Sequence, residues 1–172
     1  MFNVNSENSE NDDGEKKVMT FTIEPFTEDR IEDVLAYERE LREQEKDTYF
    51  WDIDEQYIAN VKNSFKDSRF ADNAITLLAY KDGHVIGRID ASLICSRFDG
   101  TISAAYLDWI SVLKSERHSG VAQSMMTELR KVLKEKGLEA LLAVVAGNGE
   151  ANKFYYSLEN TKIQDEAAWI NL

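Results

Sequence analysis

The sequence predicts an α/β domain, and three observations carry that prediction. Residues 106–112 form a strand-like apolar run, and a helical face follows. In that face Val121, Ala122, Met125, Met126, Leu129, Val132 and Leu133 recur at spacings of three and four. Between residues 74 and 112, two Asp-Gly turns join three strand patterns into an antiparallel meander. Residues 138–145 are almost wholly apolar, as in a strand buried on both faces, and a short helical run comes after them.

Taken in order, residues 1–17 are polar and acidic and read as a disordered tail. Residues 18–25 alternate Met19, Phe21 and Ile23, a first strand. Thr27 precedes a helix carrying Val34, Leu35, Tyr37, Glu38 and Leu41, with acidic residues in its first turn. Tyr49, Phe50 and Trp51 form an aromatic run in a loop. They either line a pocket or anchor the loop to the core. A second helix starts near Asp54, with Tyr57, Ile58, Val61 and Phe65 on one face.

Residues 74–80 are the next strand, and Asp82-Gly83 turns the chain into residues 85–95. Gly87 in that strand marks a bulge or a close approach. Asp99-Gly100 leads into the strand 101–112. Gly137 is the stop of the long helix. After the strand 138–145 comes a helix holding Ala151, Phe154, Tyr155 and Leu158, and residues 162–163 and 167–172 supply one or two last strands. No linker divides residues 18–172, which read as one domain.

Composition narrows the classes. The chain has 172 residues, 43% of them hydrophobic, enough for one sizeable core. Its net charge of −12 argues against nucleic acid and anionic membrane as partners and is compatible with a cationic small molecule. No apolar run approaches a membrane span or a signal-peptide core, so a cytoplasmic location is expected. Cys95 alone cannot make an internal disulfide, and His84 and His118 with it form no metal-ligand spacing.

The chemistry concentrates where the strand 101–112 meets the long helix. Arg117-His118-Ser119-Gly120-Val121-Ala122 is a loop that enters a helix, with Ser119 a candidate cap. The first N–H groups of a helix lack internal partners, and the dipole is positive there. Such an end takes up phosphate, and Gly lets the backbone approach it. The run from Val112 through Arg117, Gly120 and Ala122 resembles the acyl-CoA pyrophosphate loop, Arg/Gln-x-x-Gly-x-Gly/Ala, of the GCN5-related N-acetyltransferases. Asn148, Ala151, Phe154 and Tyr155 match the second motif of that family, Asn-x-x-Ala-x-x-Leu/Phe-Tyr, after the fifth strand. The usual Gly-Phe after the Tyr is missing.

The resemblance covers nearly the whole chain after the tail. It implies a mixed, mostly antiparallel central sheet with helices on both faces. It also implies transfer of an acetyl group from acetyl-CoA, as co-substrate, to an amine acceptor by direct attack, with no metal. A small-molecule primary amine is the expected acceptor, a protein N-terminus or lysine an alternative. A non-catalytic acyl-CoA-binding sensor or scaffold is the competing class. A homodimer is left open. The cofactor residues implied are Ile110, Val112, Arg117, His118, Ser119, Gly120, Val121, Ala122 and Asn148. Lys153 is either an outer-phosphate ligand or a solvated helix lysine.

Two residues are candidates for proton transfer. A phenol with an unperturbed pKa of about 10 stays protonated at neutral pH, so Tyr155 can donate to a departing thiolate; otherwise it is a packing residue. Attack needs a neutral amine, and Asp108 is the one acid on the strand 101–112. Simple alternation puts it on one face with Tyr106, Ile110 and Val112. It is either the general base or a satisfied polar group at the cleft wall, with water as the other route.

Overall fold

The structure is a computed structural model that describes residues 21–49, 51–95, 98, 102–145 and 149–163. The acidic tail, Met19 of the first strand, Phe50, the Asp99-Gly100 turn, Asn148 and the strand expected over 167–172 lie outside the described residues.

Strand β1 (Thr22–Pro25) leads through a 3-10 turn (Glu28–Arg30) into α1 (Ile31–Gln44). Helices α2 (Glu55–Ser64) and α3 (Ser68–Ala71) follow, then β2 (Ala74–Lys81), β3 (His84–Cys95) and β4 (Ile102–Val112). A second 3-10 turn (Lys114–Glu116) precedes α4 (Val121–Glu135), β5 (Ala140–Leu142) and α5 (Gly149–Ser157). The sheet runs β1-β2-β3-β4-β5, antiparallel except for the parallel β4–β5 pair. The mixed sheet expected from the sequence is therefore the observed one, and α4 is the crossover that a parallel pair requires.

Local chemistry fixes the elements. Asp82 and Gly83 both have positive φ, the backbone of a two-residue hairpin turn whose twist suits the flanking strands. Asp54 caps α2 by accepting from the Tyr57 N–H at 2.8 Å. Thr27 heads the 3-10 turn but makes no side-chain cap bond. At the end of α4, Gly137 has φ +80°, Gly137 N–H donates to the Lys134 carbonyl and Leu138 N–H to the Leu133 carbonyl. Buried Leu133 and Leu138 complete that stop.

Helices cover both faces of the sheet. Val34, Leu35, Tyr37, Glu38 and Leu41 bury one side of α1; Met125, Met126 and Leu129 bury one side of α4. Gly87 admits α4 closely: a Cβ there would lie 3.0 Å from Met125 Cε and 3.2 Å from the Ser111 carbonyl oxygen. The β2–β3 register shifts next to it, where Ile86 is the extra residue, so Gly87 itself pairs with Ala79 and marks the close approach beside a bulge.

Three expectations need correction. The strand after α4 covers only Ala140–Leu142, and it is not buried on both faces, since Leu142 is 52% and Val144 39% exposed. An apolar run records the tendency to bury, not the presence of a covering layer. Ser119 is not a cap: Gly120 holds that position, and the Ser119 hydroxyl donates backwards to the Glu116 carbonyl. Asp108 does not share a face with Ile110 and Val112. Asp90 pairs with Trp109 while Ala91 pairs with Leu107, so Asp108 is the extra residue of a bulge.

Candidate active site

The site begins where β4 and β5 part. They pair from Ala104↔Ala140 to Tyr106↔Leu142, and β4 then continues to Val112 with no strand beside it on that edge among the described residues. The parting opens a cleft of about 1060 Å³. Tyr106, Asp108, Trp109, Ile110 and Val112 supply one wall, and Phe154 and Tyr155 of α5 the other.

One end of the cleft is the start of α4. Gly120 sits at φ +84° and His118 at φ +59°, which curls the loop before the helix. Ser124 N–H, bonded to the Gly120 carbonyl, is the first helical donor satisfied, and no side chain caps the end. The N–H groups of Val121, Ala122 and Gln123 have no acceptor among the described residues. Free donors at the positive end of a helix dipole suit a phosphate or pyrophosphate. Arg117, His118 and Ala122 line the cleft. Val121 instead turns into the core at 2% exposure, so of its groups only the backbone remains for a ligand.

The Arg117 side chain is already engaged. It donates to both oxygens of Glu45, and its Nε donates to the Val112 carbonyl at 3.3 Å. The Gln44 amide grips the same loop through the Ser115 N–H at 3.2 Å. His118 Nε2 lies 3.7 Å from Glu150 Oε2, which connects the loop to the first turn of α5. Lys153 is 81% exposed and sits 3.5 Å from Glu150, the solvated placement.

Tyr155 lines the cleft from α5. Its ring is buried against Phe154, with centroids 5.2 Å apart, and its hydroxyl has no hydrogen-bond partner among the described residues. Burial, and then the neighbouring Tyr106 phenol, push the Tyr155 pKa above its ordinary value of 10.0. The group therefore keeps its proton through the neutral range and can give it up only to a strong base formed beside it.

Aromatic and acidic side chains line the rest of the cleft. Tyr49, Trp51 and Trp109 pack in a triangle with centroid separations of 5.3, 5.4 and 5.8 Å. Tyr49 lines the cleft as well, so the loop aromatics both wall the pocket and anchor to β4. Bulged Asp108 is exposed in the cleft and accepts from the Ser92 hydroxyl at 2.6 Å. Beneath, Arg88 pairs with Glu38 and, at 3.0 Å, with Asp90. Burial raises both carboxyl pKa values against the pull of Arg88. Glu38 Oε2 and Trp51 Nε1 are buried and unpaired by hydrogen-bond geometry, although the indole lies close enough to draw the Glu38 pKa down.

Sequence reasoning missed Glu45, Tyr106, Trp109 and Ser111. Glu45 and Arg117 are far apart in the chain, and no spacing reports their contact. Trp109 carried a usable signal, as a large aromatic between two candidate site residues. Among the described residues no cluster of His, Cys, Asp or Glu forms a metal site, and no helix is long and apolar enough to cross a membrane.

Comparison with known proteins agrees with this geometry. The sequence model described as the acetyltransferase (GNAT) family matches residues 25–158. No curated protein matches the chain. Among solved structures, an aminoglycoside acetyltransferase from an uncultured soil metagenomic sample, in complex with trehalose, superposes with a TM-score of 0.73 at 15% identity. The match covers 88% of this chain and 95% of that one. AAC(6')-Iy in complex with a bisubstrate analog of CoA gives 0.69 at 17% identity, over 89% and 98% of the two chains. A ribosomal-protein-alanine N-acetyltransferase from Brucella melitensis biovar Abortus 2308 gives 0.66 at 14% identity, over 89% and 99%. At such identities the likeness shows the fold.

Proposed function

This chain belongs to the acetyltransferase (GNAT) family, and we propose that it transfers the acetyl group of acetyl-CoA to a primary amine of a small molecule by direct attack. The observation that carries the reading is that one cleft brings together the start of α4 with its free N–H donors, Tyr155 with its unbonded hydroxyl, and Asp108. The free N–H groups at the start of α4, those of Val121, Ala122 and Gln123, suit the pyrophosphate, and the free edge of β4 at Ile110 and Val112 suits the amides of the pantetheine arm. The Val112 carbonyl already accepts from Arg117, which leaves one lone pair for a ligand. Acetyl-CoA brings the activated thioester.

The protein supplies position and protons. Asp108 takes the proton of the incoming ammonium, directly or through water, so that a neutral amine attacks the thioester carbonyl. Tyr155 donates its proton to the thiolate as it leaves, and the proton remaining on the attacking nitrogen passes through water to the Tyr155 phenolate, while that on Asp108 goes to solvent. No covalent intermediate is needed, since no Ser or Cys among the described residues lies in a nucleophile arrangement with a His. Holding both substrates along one cleft makes the attack effectively intramolecular.

The names of similar folds include aminoglycoside acetyltransferases and a ribosomal-protein-alanine N-acetyltransferase. Tyr49 and Trp109 beside Asp108 support a compact cationic amine here, because rings and a carboxylate both attract an ammonium. The test is release of CoA thiol over a panel of aminosugars, polyamines, amino-acid derivatives and short peptides, with the amide product identified by mass. Transfer to a small amine at a rate well above that to peptides is expected. Tight acetyl-CoA binding with no transfer to any of them would make the domain an acyl-CoA sensor.

A further inference from the structure

The acceptor end of the cleft is held from below by two buried hydroxyls. The Trp109 indole N–H donates to Ser111 Oγ at 2.7 Å, and Ser111 Oγ is bonded to the Tyr37 hydroxyl at 2.8 Å. Tyr37 is 2% exposed and Ser111 5%, so this pair lies inside the core, between α1 and the sheet. Arg88 closes one face of the indole, with Cζ 5.7 Å from the ring centroid. Tyr49 and Trp51 meet the indole from the loop side. Among the described residues, Trp109 is thus the one cleft aromatic whose polar atom is bonded to a buried side chain.

The anchor bears on more than one side chain. Leu107 and Trp109 are two residues apart and would share a face in a regular strand. Leu107 is opposite Ala91 and packs in the core, whereas Trp109 is opposite Asp90. Both placements hold only if Asp108 is extra, and that bulge is what turns Asp108 to Ser92 and the cleft. Trp109 and Ser111 share a face in either register, and the Ser111–Tyr37 bond holds that face toward α1, which with Leu107 in the core favours the bulged register.

We infer that Tyr37 and Ser111, the second on the cleft wall but only 5% exposed, are positioning residues for acceptor recognition that act through Trp109 and the Asp108 bulge. This rests on the transfer reaction proposed above. It makes acceptor affinity, and not acetyl-CoA affinity, depend on two hydroxyls buried beneath the cleft.

The test combines kinetics with the indole resonance that Trp109→Phe removes from the proton–nitrogen spectrum. Ser111→Ala strands a buried donor, so the Trp109 resonance should shift and its N–H should exchange faster. Acceptor KM should rise roughly ten-fold while acetyl-CoA KM stays within about two-fold, the size expected from one buried hydrogen bond. Tyr37→Phe keeps the ring in the core and should give a smaller rise of the same sign. Ser111→Thr keeps the hydroxyl and should restore both the resonance and the acceptor KM. Equal rises in the two KM values would mean general loosening and would overturn the inference. So would a displaced resonance with an unchanged acceptor KM. A wild type that transfers no acetyl group to any amine sinks the reaction itself. In that case the anchor still stands or falls by whether Ser111→Ala moves the indole resonance.

Discussion

Arg117 and Glu45 join the two halves of the cleft: Arg117 Nη1 donates to Glu45 Oε1 at 3.0 Å, and Nη2 donates to Oε2. Arg117 belongs to the loop proposed to hold the pyrophosphate. Glu45 follows α1, and its own carbonyl accepts from the N–H groups of Thr48 and Tyr49, each at 3.0 Å. One residue therefore holds the loop with its side chain and aims Tyr49 with its backbone.

That pair predicts the sign of a substitution. A clamp and a phosphate ligand give opposite results when Glu45 loses its charge. If Arg117 serves as a clamp, Glu45→Gln and Arg117→Gln should each weaken acetyl-CoA binding, and the double variant should be no worse than either. The pair is only partly exposed, so a coupling of about 1 kcal/mol is expected. Calorimetric titration of acetyl-CoA decides it. Tighter binding by Glu45→Gln would mean that the freed guanidinium goes to phosphate instead.

Gly120 carries the second prediction. A Cβ built there meets nothing within 4 Å, so space is not the reason for glycine; φ +84° is. Gly120→Val should distort the loop and remove acetyl-CoA binding while the core, anchored at Val121 and Met125, stays folded. Gly120→Asn, a residue that tolerates this φ, should cost about 1 kcal/mol or less of stability and keep most of the affinity. Melting temperature and acetyl-CoA affinity, measured on both, separate the cases. Equal loss in a folded Asn variant would point to a backbone that the ligand must touch.

The sequence made these two positions legible because each depends on a local pattern. A loop that enters a helix, an Asp-Gly turn and a Gly stop are readable from neighbours in the chain. Asp108 was not placed correctly, because parity along a strand assumes that no residue is extra. Glu38, Arg88 and Asp90 were not recognised as a cluster, since their contact spans 50 positions. A hint was present: Glu38 lies in the apolar stripe of α1 between Val34 and Leu41, where a carboxylate needs a buried partner. The exposure of Leu142 and Val144 could not be read from an apolar run that merely tends to bury.

That buried cluster gives a pH prediction. Burial holds the Glu38 carboxyl above its ordinary 4.5 and the Asp90 carboxyl above 3.8, although Arg88 opposes both. A raised folded-state value contributes stability that is complete below the unfolded value and is lost as pH rises through the folded one. Glu38→Gln removes one such titration. The stability of the variant relative to wild type should therefore increase between about pH 4 and pH 7. Denaturant midpoints at the two ends measure this. A relative stability that falls over the same interval would mean that the ion pair with Arg88 outweighs burial.

Asp108 separates base catalysis from the water route. Asp108→Asn preserves the acceptor for the Ser92 hydroxyl but cannot take a proton. As the base it should lower turnover by about 10²-fold and change the acidic limb of the pH–rate profile. Ser92→Ala leaves the carboxylate in place and should have a much smaller effect. Normal turnover with a normal profile in Asp108→Asn would leave only water as the proton acceptor.

Tyr155 distinguishes an enzyme from a binding module. Its hydroxyl faces the cleft with no protein partner among the described residues, so removing it strands no buried group. Tyr155→Phe keeps the ring against Phe154 and should leave the melting temperature nearly unchanged. As the general acid it should cost about 10²–10⁴-fold in kcat, with acetyl-CoA affinity constant. The raised pKa adds a second signature. The wild-type rate should hold through neutral pH and fall only above the ordinary phenol value, as Tyr155 ionises; the Phe variant should lack that basic limb. Single-turnover mixing assigns the loss to the chemical step, because water can protonate some of the thiolate and mask a small fall at steady state. A variant that is unstable yet turns over normally per folded molecule would make Tyr155 a packing residue and leave the departing thiolate to solvent.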